Sequence, residues 1–508
     1  MLFFIVSSRC ARTVGALNDV QNCPASPLHR LKVGKTAPGD PLIRGSKKIV
    51  TQRPSCVKMN LQPANSLRCN IFLQCHNNEG RAWEDNCGMT LIARSDDLRR
   101  ENQRRILAAL RAESPLSRTE LTAATGLSAS TVTAITSALL VADYLVEAPR
   151  KDNSNGGDIG PLGRRGRPQV ALALNPRAAT IGALTLTLNR LSAALVDYSG
   201  SVILEVVEKL DTLALAREEF GSRFVALLRR ALDEAGSSAG PLRHVALTVQ
   251  GVSDAKGTRV HWSPILSHRD LQIDDDLSDA FGTSVSIAND ANMIATALKA
   301  REPHVYDQSY AAILLSHGIG MGLVLDGRPF NGILTSAAEF GHMCHIPKGA
   351  LCRCGRHGCI EAYAGDYGIW RKATGGDPEV VPDWDIDRET MSALAEQAKR
   401  GDAAAAEAYR SAAAAIGHGL RNLFTLLDPF PIAFVGSGVL AFDLMEPMIR
   451  SSLGRKGIGL AYDDAEFHCY ENDLELTLTG TIVTGLTALD RSIILNKEPA
   501  GDDYAKLG

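Results

Sequence analysis

The sequence contains no run of eighteen or more apolar residues, although 45% of its 508 residues are hydrophobic. A helix needs about 20 consecutive apolar residues to cross a bilayer, so we expect no membrane-spanning segment. The opening Met-Leu-Phe-Phe-Ile-Val is too short for the core of a signal peptide, and no basic stretch precedes it. The length is sufficient for roughly two to four domains of ordinary size.

The chain also lacks a strong excess of charge of either sign. Its 54 lysines and arginines against 57 aspartates and glutamates give a formal net charge of -3, and the part from Met89 onward is acidic. A large positive field that would attract nucleic acid is therefore excluded. Any affinity for DNA must come from a local group of basic side chains.

Cysteine is absent between residues 88 and 343 and is concentrated on the two sides of this gap. Six of the eleven cysteines crowd the first 88 residues: Cys10, Cys23, Cys56, Cys69, Cys75 and Cys87. The other five lie beyond residue 300, and three of these fall in one short window. A body so poor in cysteine indicates a reducing cytoplasm rather than a disulfide framework.

Residues 1–88 differ from the rest of the chain in composition. They are rich in Cys, Pro, Asn and Arg and show no sustained apolar period. Three interpretations are open: a disordered extension, a targeting segment, or a translation start assigned too far upstream. We favour the last, with Met89 as the true start, because helical patterning begins just after it. We base no functional prediction on this segment.

Residues 89–155 carry the pattern of a DNA-binding module. Helical periodicity covers residues 96–113, and Ser117 and Glu120 then form a capping box that opens a second helix over residues 118–125. After the turn Thr-Gly-Leu-Ser, Ser128 caps a third helix that runs to residue 140. Two helices joined by so short a turn are typical of a helix-turn-helix, with any three-helix domain as the alternative.

The start of the third helix supplies candidate base contacts. Its small hydroxyl side chains allow the helix to enter a major groove and meet phosphates and base edges. The residues expected to do so are Ser128, Ser130, Thr131 and Thr133.

A wing is predicted after the third helix. Strands over residues 144–147 and 170–174 enclose a loop, and residues 156–176 form the end of the wing and a basic linker. Arg164, Arg165 and Arg167 in this stretch are suited to phosphates or to a narrow minor groove. A solvated linker is the alternative.

From residue 177 onward, short apolar strands alternate with helices, which is typical of an α/β fold. The predicted elements are strands over residues 181–188, 191–197, 202–206 and 245–249, a helix over 217–235, and further strands over 285–288, 311–315 and 322–325. The series of short apolar strands occurs twice along the chain, which predicts two lobes, residues 177–300 and 301–496. Residues 497–508 are left as a tail.

The second lobe contains the densest group of chemically distinctive residues. Between Glu339 and Glu361 lie three cysteines in the pattern Cys-x-Cys-Gly-x-x-Gly-Cys, preceded by a Gly-His pair. Thiolate sulfur and imidazole nitrogen are the ligands of closed tetrahedral Zn²⁺ sites, and the glycines allow the chain to fold back tightly. A cluster of structural or redox thiols is the alternative.

This window resembles the signature of the ROK family of repressors, open reading frames and sugar kinases, and every position of that signature is filled. The resemblance implies that zinc is held by His342, Cys352, Cys354 and Cys359. It also implies a sugar pocket lined by Gly251, Asn289, Asp290, Glu339, His342 and Glu361. In the family's kinases, the aspartate matching Asp290 is the general base. Cys344 falls outside the signature, and we expect it to be a packed thiol.

The resemblance spans residues 95–490 and implies a winged helix-turn-helix followed by a two-lobed, actin-like (ribonuclease-H-like) body. One part departs from the kinases of the family. They open their first lobe with Asp-x-Gly-Gly-Thr, whose glycines let backbone amides approach phosphates. Residues 184–188 here read Leu-Thr-Leu-Thr-Leu, without the aspartate and both glycines. The sequence therefore predicts sugar binding without phosphorylation.

The combined expectation is a sugar-responsive, DNA-binding regulator that represses carbohydrate-utilisation genes. Its expected partners are operator DNA and a sugar or sugar derivative, with Zn²⁺ as the bound ion and no membrane. We expect a homodimer or homotetramer in the cytoplasm. Two alternatives stay open: an ATP-dependent sugar kinase with a DNA-binding appendage, and a zinc-stabilised regulator that responds to a protein partner.

Overall fold

The computed structural model describes residues 95–149, 170–382, 386–454, 462 and 465–495, all within the unit Thr90–Gly508. The expected extension over residues 1–88 lies outside the described residues. The same holds for Arg164, Arg165 and Arg167 and for the tail over residues 497–508.

The described chain begins with three helices and a small antiparallel sheet. The helices are α1 (Ser95–Ala112), α2 (Arg118–Thr125) and α3 (Ala129–Val141), and the strands are β1 (Leu116–Ser117), β2 (Leu145–Ala148) and β3 (Ala171–Leu174) in the order β1-β3-β2. The Ser117 hydroxyl accepts from the Glu120 amide while the Glu120 carboxylate accepts from the Ser117 amide. Helices α2 and α3 meet at 118°. The predicted capping box and winged helix-turn-helix are confirmed.

Five strands form the first sheet of the body. They are β4 (Thr180–Thr187), β5 (Arg190–Asp197), β6 (Val202–Lys209), β7 (Leu242–Val249) and β10 (Ser284–Asn289), in the order β10-β7-β4-β5-β6. The first three form the predicted antiparallel meander, and β7 and β10 continue the sheet in parallel with β4. Helices α4 (Glu219–Ala235) and α5 (Asp274–Phe281) and the short hairpin of β8 (Val252–Ser253) and β9 (Val260–Trp262) complete this part.

The second sheet repeats the topology of the first. Its strands are β11 (Tyr310–Leu315), β12 (Ile319–Leu325), β13 (Arg328–Pro329), β14 (Ile432–Val435) and β15 (Phe467–Tyr470), in the order β13-β12-β11-β14-β15. Again the first strand pairs antiparallel with its successor on one side and parallel with a later strand on the other. This duplication confirms the predicted two-lobed, actin-like body.

Seven helices surround the second sheet or lie between the two sheets. They are α6 (Asp290–Arg301), α7 (Glu361–Ala364), α8 (Asp366–Ala373), α9 (Arg388–Lys399), α10 (Ala403–Leu427), α11 (Phe442–Leu453) and α12 (Asp473–Leu495). Helix α6 packs against β11 and β12, while α12 packs against α6 and against β4 and β7 of the first sheet. The last helix therefore returns to the first sheet after the second is complete. The lobe boundary predicted at residue 301 stays a proposal.

The winged-helix module is attached to the body through α1 and α12. Arg111 of α1 forms an ion pair with Asp490 of α12 at 2.7 Å and donates to the Tyr198 carbonyl at 2.9 Å. The Tyr198 hydroxyl donates to the same Asp490 oxygen at 3.0 Å. These partly buried polar contacts hold the two parts together in a defined orientation.

In the described part of the chain, no single helix is long and apolar enough to cross a bilayer; only α2 and α3 together, bent at their junction, have the required length and composition.

Candidate functional site

The loop between Met343 and Glu361 turns back on itself and brings the predicted metal ligands together. Bridges between Cys344 and Cys359 and between Leu351 and His357 pair its two arms. Gly358 makes this possible, since its φ is 81° and a Cβ there would lie 1.7 Å from the Ile346 carbonyl oxygen. Cys344 is exposed, so the expected packed thiol is wrong.

The four predicted ligands fit a tetrahedral metal ion. One ligand atom from each of His342, Cys352, Cys354 and Cys359 lies within 4.8 Å of all the others. The Cys354 and Cys359 sulfurs are 3.8 Å apart, and the Cys352 sulfur is 3.6 Å from His342 Nδ1. Zinc–sulfur bonds of about 2.3 Å in a tetrahedron place sulfurs roughly 3.8 Å apart. Both the donor set and the spacing suit zinc.

His342 connects the metal cluster to the neighbouring pocket. Its Nδ1 faces Cys352, whereas its Nε2 lies 3.9 Å from a carboxylate oxygen of Glu339. Its ring packs edge-on against Trp262, with 5.5 Å between centroids. Burial lowers the pKa of His342, which favours the neutral imidazole that a metal ion requires.

The six predicted sugar-binding residues line one pocket between the lobes. Gly251 follows β7, Asn289 and Asp290 join β10 to α6, and the others come from the second lobe. The six predicted residues in the lining of this pocket are Gly251, Asn289, Asp290, Glu339, His342 and Glu361. Asn289 also caps α6 by accepting from the Asn292 amide at 3.0 Å. The structure thus brings together residues that are more than a hundred positions apart.

Asp290 is held deep in this pocket with an unusual protonation equilibrium. Its side chain is only 8% exposed, and one carboxylate oxygen accepts from the Ala291 amide at 2.9 Å. Burial raises the pKa of Asp290 to about 7, against the opposing effect of the backbone hydrogen bonds. A carboxyl group with this pKa can both donate to and accept from a ligand hydroxyl near neutral pH.

The raised pKa predicts a stability effect that depends on pH. The folded state favours protonated Asp290, so the associated stability is complete below about pH 4 and declines as the pH rises to about 7. Asp290→Asn should remove this decline, making the variant more stable than the parent at pH 8 by up to about 4 kcal/mol and little different at pH 4. Urea unfolding at both values measures the difference. Asp279→Asn, an exposed control on α5, should show no such pattern; a gain equal at both pH values would refute the assignment.

Glu361 is buried and held by hydrogen bonds on both oxygens. One oxygen accepts from the Ile319 amide at 3.2 Å, and the other accepts from the Tyr367 hydroxyl at 3.3 Å and the Cys352 thiol at 3.4 Å. Its exposure is 3%. Glu361 therefore occupies a fixed position between the pocket and the loop over residues 343–361, which we call the metal loop. A fixed position is what a residue that orients a ligand requires.

The tryptophan of this pocket, Trp262, was missed by sequence reasoning. Trp262 ends the short strand β9 and presents a ring to the pocket, and Gln250 precedes Gly251. A Cβ on Gly251 would lie 2.4 Å from the Trp262 carbonyl oxygen, so glycine is needed where the two segments touch. An aromatic face is a common platform for apolar sugar surfaces. Strand β9 has only three residues, which is too short for a sequence pattern that would indicate this role.

A second compartment of the cleft lies beyond Asp290. We call it the far compartment; it is lined by Leu188, Arg190, Asp290, Ser316, His317, Asp366, Asp473 and neighbours. Leu184 and Leu186 are buried in the first lobe's core, and Leu188 and Asn189 close a tight hairpin between β4 and β5. Burial raises the pKa of Asp473. The far compartment carries three carboxyl groups, from Asp290, Asp366 and Asp473, and two guanidinium groups, from Arg190 and Arg388.

The candidate DNA surface is the solvent face of α3. Ser128 caps the helix by accepting from the Thr131 amide at 3.2 Å, and Thr133 donates to the Ala129 carbonyl at 2.8 Å. Ser128, Ser130 and Thr133 are exposed and Thr131 is half-buried. Ala134 and Ser137, which sequence reasoning did not single out, share the exposed face. All these side chains are small, so the helix backbone can approach a groove closely.

Comparison with known proteins supplies the last observation. Residues 190–457 match the ROK family and residues 99–146 match a winged helix-turn-helix DNA-binding domain. The chain is 23% identical to the xylose repressor of Bacillus spizizenii over 365 residues, covering 72% of this chain and 89% of that protein. It is 29% identical to a glucokinase of Streptomyces coelicolor over 226 residues, covering 42% of this chain and 71% of that protein. A crystal structure of a ROK family transcriptional regulator, a homolog of the Escherichia coli Mlc protein, superposes with a TM-score of 0.63 at 22% identity, covering 78% of this chain and 98% of that one.

Proposed function

The chain belongs to the ROK family, and from this premise we propose that it is a DNA-binding transcriptional repressor whose activity is controlled by a sugar. The observation that carries the proposal is that one unit contains both a winged helix and a polar pocket, while the hairpin at Leu188 and Asn189 lacks the glycines of a phosphate turn. The similarity to a xylose repressor along 72% of the chain supports it.

Sugar recognition is assigned to the pocket at Asp290. Carboxylates that accept from vicinal hydroxyls, combined with an aromatic face, are what a neutral polyhydroxyl ligand requires. Asp290 and Glu361 are fixed in place, Glu339 is more open to solvent, and Trp262 supplies the ring. The pocket carries no cationic side chain among its lining residues in the described chain, which favours an unphosphorylated sugar.

Zinc is assigned to the loop behind this pocket. His342, Cys352, Cys354 and Cys359 would hold the ion, which would fix the loop that carries Glu339 and Glu361. A closed set of four protein ligands leaves no open position, which is the arrangement of a structural site. The metal would then set pocket geometry without taking part in any chemical step.

The far compartment argues against phosphoryl transfer. Catalysis of that reaction depends almost entirely on positioning and charge stabilisation of the phosphates. The Leu188–Asn189 hairpin at this compartment offers no glycine that would let backbone amides approach a phosphate closely. We therefore propose that the protein is not an enzyme.

A sugar kinase with a DNA-binding appendage remains the second candidate. Asp290, at the position of the kinase base, is retained in the pocket, and a glucokinase aligns over 226 residues. That alignment covers only 42% of the chain. The kinase candidate therefore leaves the winged-helix module unexplained.

Helix α12 offers a route from the sugar pocket to DNA. Asp473, Leu474 and Thr477 at its beginning line the far compartment next to Asp290, and Asp490 near its end holds Arg111 of α1. A small displacement of the cleft would move the whole packed helix and with it the winged helix. In a homodimer or homotetramer, which we propose for this protein in the cytoplasm, such a shift would change the spacing of two winged helices relative to their half-sites.

DNA binding can be tested by the salt dependence of operator affinity. Replacing Arg165 and Arg167 together by alanine should lower the slope of log affinity against log salt by about 2, because each lost phosphate contact releases roughly one counterion less. The measurement is fluorescence anisotropy with DNA from upstream of the protein's own gene. Lys209→Ala with Arg243→Ala, two exposed cations of the first lobe, is the matched control.

The preference of the protein for particular DNA sequences should depend on a different residue, Ser130. Ser130→Ala on the exposed face of α3 should alter the preferred bases while leaving the salt slope unchanged, because a base contact carries specificity and little counterion release. Equal slopes for the arginine variant and its control, or the absence of any specific footprint near the gene, would contradict the proposed operator binding.

A further inference from the structure

A large cavity separate from the sugar pocket lies where α1, α12 and the junction of β10 with α6 meet. Its volume is about 900 Å³, within the range of roughly 300–1,000 Å³ found for small-molecule sites. Five cationic side chains reach it from different elements: Arg104, Lys256, Lys299, Arg328 and Arg491. We call it the basic cavity. Its position places it in contact with the DNA-binding module and with both lobes.

The charge of the basic cavity is unbalanced. Among its lining residues in the described chain, Asp254 is the only carboxylate. Asp254 already accepts from the Thr258 amide at 2.7 Å and the Arg259 amide at 2.9 Å. Lys256, Arg328 and Arg491 form no ion pair with any described residue. Arg104 is paired with Glu101 and Lys299 donates to the Gly327 carbonyl, so three cations without a counter-charge in the described chain remain to attract an anion.

A buried hydroxyl supplies an independent sign of a missing ligand. Ser336 lines the basic cavity and is only 2% exposed, yet its hydroxyl has no hydrogen-bond partner in the described chain. Its backbone amide is fixed by donation to the Ser253 carbonyl at 2.9 Å. Nearby, Asn292 donates to the Asn331 side chain at 3.2 Å. Buried polar groups nearly always form a hydrogen bond. The unpaired Ser336 hydroxyl in the basic cavity therefore indicates a ligand with an acceptor atom to which this hydroxyl can donate.

We propose that the basic cavity binds a phosphorylated small molecule. A phosphate monoester carries close to two negative charges at neutral pH and offers several acceptor oxygens, which suits several cations and a free hydroxyl together. The backbone of double-stranded DNA does not fit this role. A rigid duplex does not reach a side chain as buried as Ser336, whereas a small ligand does.

The basic cavity is linked to the sugar pocket by shared structure. Asn289 lines both. The segment that precedes Glu339 forms a common wall, because Leu334 accepts from the Ala255 amide at 3.0 Å and Ser336 is three residues from Glu339. Arg104 belongs to α1, so a ligand in the basic cavity contacts the winged-helix module directly. The site is therefore a second effector site, coupled to sugar binding and to DNA binding.

The proposal is tested by titrating the full chain, without DNA or sugar, with inorganic pyrophosphate and separately with glucose 6-phosphate at constant ionic strength in a calorimeter. Each probe should show saturable binding with one site per chain. Lys256→Gln with Arg328→Gln should weaken binding by about tenfold or more, because two charge-assisted contacts are lost. Ser336→Ala, which removes a hydroxyl without a partner and should leave folding intact, should weaken binding a few-fold, roughly as one hydrogen bond predicts.

Two matched controls decide the outcome. Lys209→Gln with Arg243→Gln makes the same charge change on exposed residues outside the basic cavity and should leave the affinity within about twofold of the parent. Asp279→Asn, an exposed change on α5 outside both sites, should leave it unchanged, and pyrophosphate, which has no sugar ring, separates this site from the proposed sugar pocket. Equal loss in the control pair and the cavity pair, no effect of Ser336→Ala, or no saturable binding of either probe would overturn the proposal. None of these results would bear on sugar-controlled DNA binding.

Discussion

Cys354→Ser is expected to reduce the zinc content from about one ion per chain to nearly none, and to abolish the sugar response while DNA binding is retained. Structural zinc sites contribute on the order of 10 kcal/mol of binding free energy at neutral pH. Apart from the hydrogen bonds that pair its arms, the metal loop over residues 343–361 has only a small hydrophobic cluster. Its own buried cluster consists of Ala350, Cys352, Cys359 and Ala362, two of which are proposed ligands.

The sugar response should be lost because the loop that carries the zinc ligands also carries residues of the sugar pocket. His342 and Glu361 belong both to the loop and to the pocket. Once the loop loosens, these side chains no longer present a fixed set of acceptors to the sugar, so affinity falls although no sugar contact has been mutated. The winged helix makes its contacts through α12 instead, so it should remain folded.

Elemental analysis of protein purified without chelator measures the metal, and operator release by sugar measures the response. Cys344→Ser and Cys469→Ser are suitable controls because both thiols are exposed and lie outside the cluster. A full zinc content in Cys354→Ser, or zinc-free parent protein, would rule out the metal site.

Local signals explain why much of the fold was predictable. The capping box of Ser117 and Glu120 placed the start of α2 at the correct residue, and the strand theme that recurs after residue 310 reflects two sheets of the same topology. The order of strands within a sheet is different, because it depends on contacts between distant segments that leave no periodic trace. The return of α12 to β4 and β7 is such a contact.

The same distinction applies to the candidate site. The spacing of Cys352, Cys354 and Cys359 within one loop makes their convergence a local property, and the structure places them together with His342. Trp262 escaped notice because its role arises only when β9 meets the second lobe at His342. The basic cavity was hidden for a similar reason, since its five cations are spread along the sequence from Arg104 to Arg491. Isolated lysines and arginines in a sequence are indistinguishable from ordinary surface charge.

The second large effect concerns catalysis, because the protein is expected to bind its sugar without releasing ADP when ATP is added. The pocket keeps Asp290, but the hairpin at Leu188 and Asn189 beside the far compartment has no glycine that would let backbone amides approach a triphosphate. In phosphoryl transfer, positioning and charge stabilisation account for nearly all of the rate enhancement, so their absence should lower turnover by a factor of about a thousand or more. A coupled ADP-release assay across a sugar panel, run beside a calorimetric sugar titration, measures both properties.

Asp290→Asn distinguishes the two candidate functions because both assign this residue to the sugar. In a regulator, the variant should weaken sugar binding and sugar-induced release from the operator, because the amide replaces one acceptor oxygen of the carboxylate by an NH2 group that can only donate. Affinity for DNA without sugar should not change, and exposed Asp279→Asn should behave like the parent. If instead the parent shows sugar-dependent ADP release that disappears in Asp290→Asn, the carboxyl group acts as a general base and the kinase candidate replaces the regulator. Retained sugar binding in Asp290→Asn with an unchanged operator response would remove Asp290 from the sugar site under either candidate.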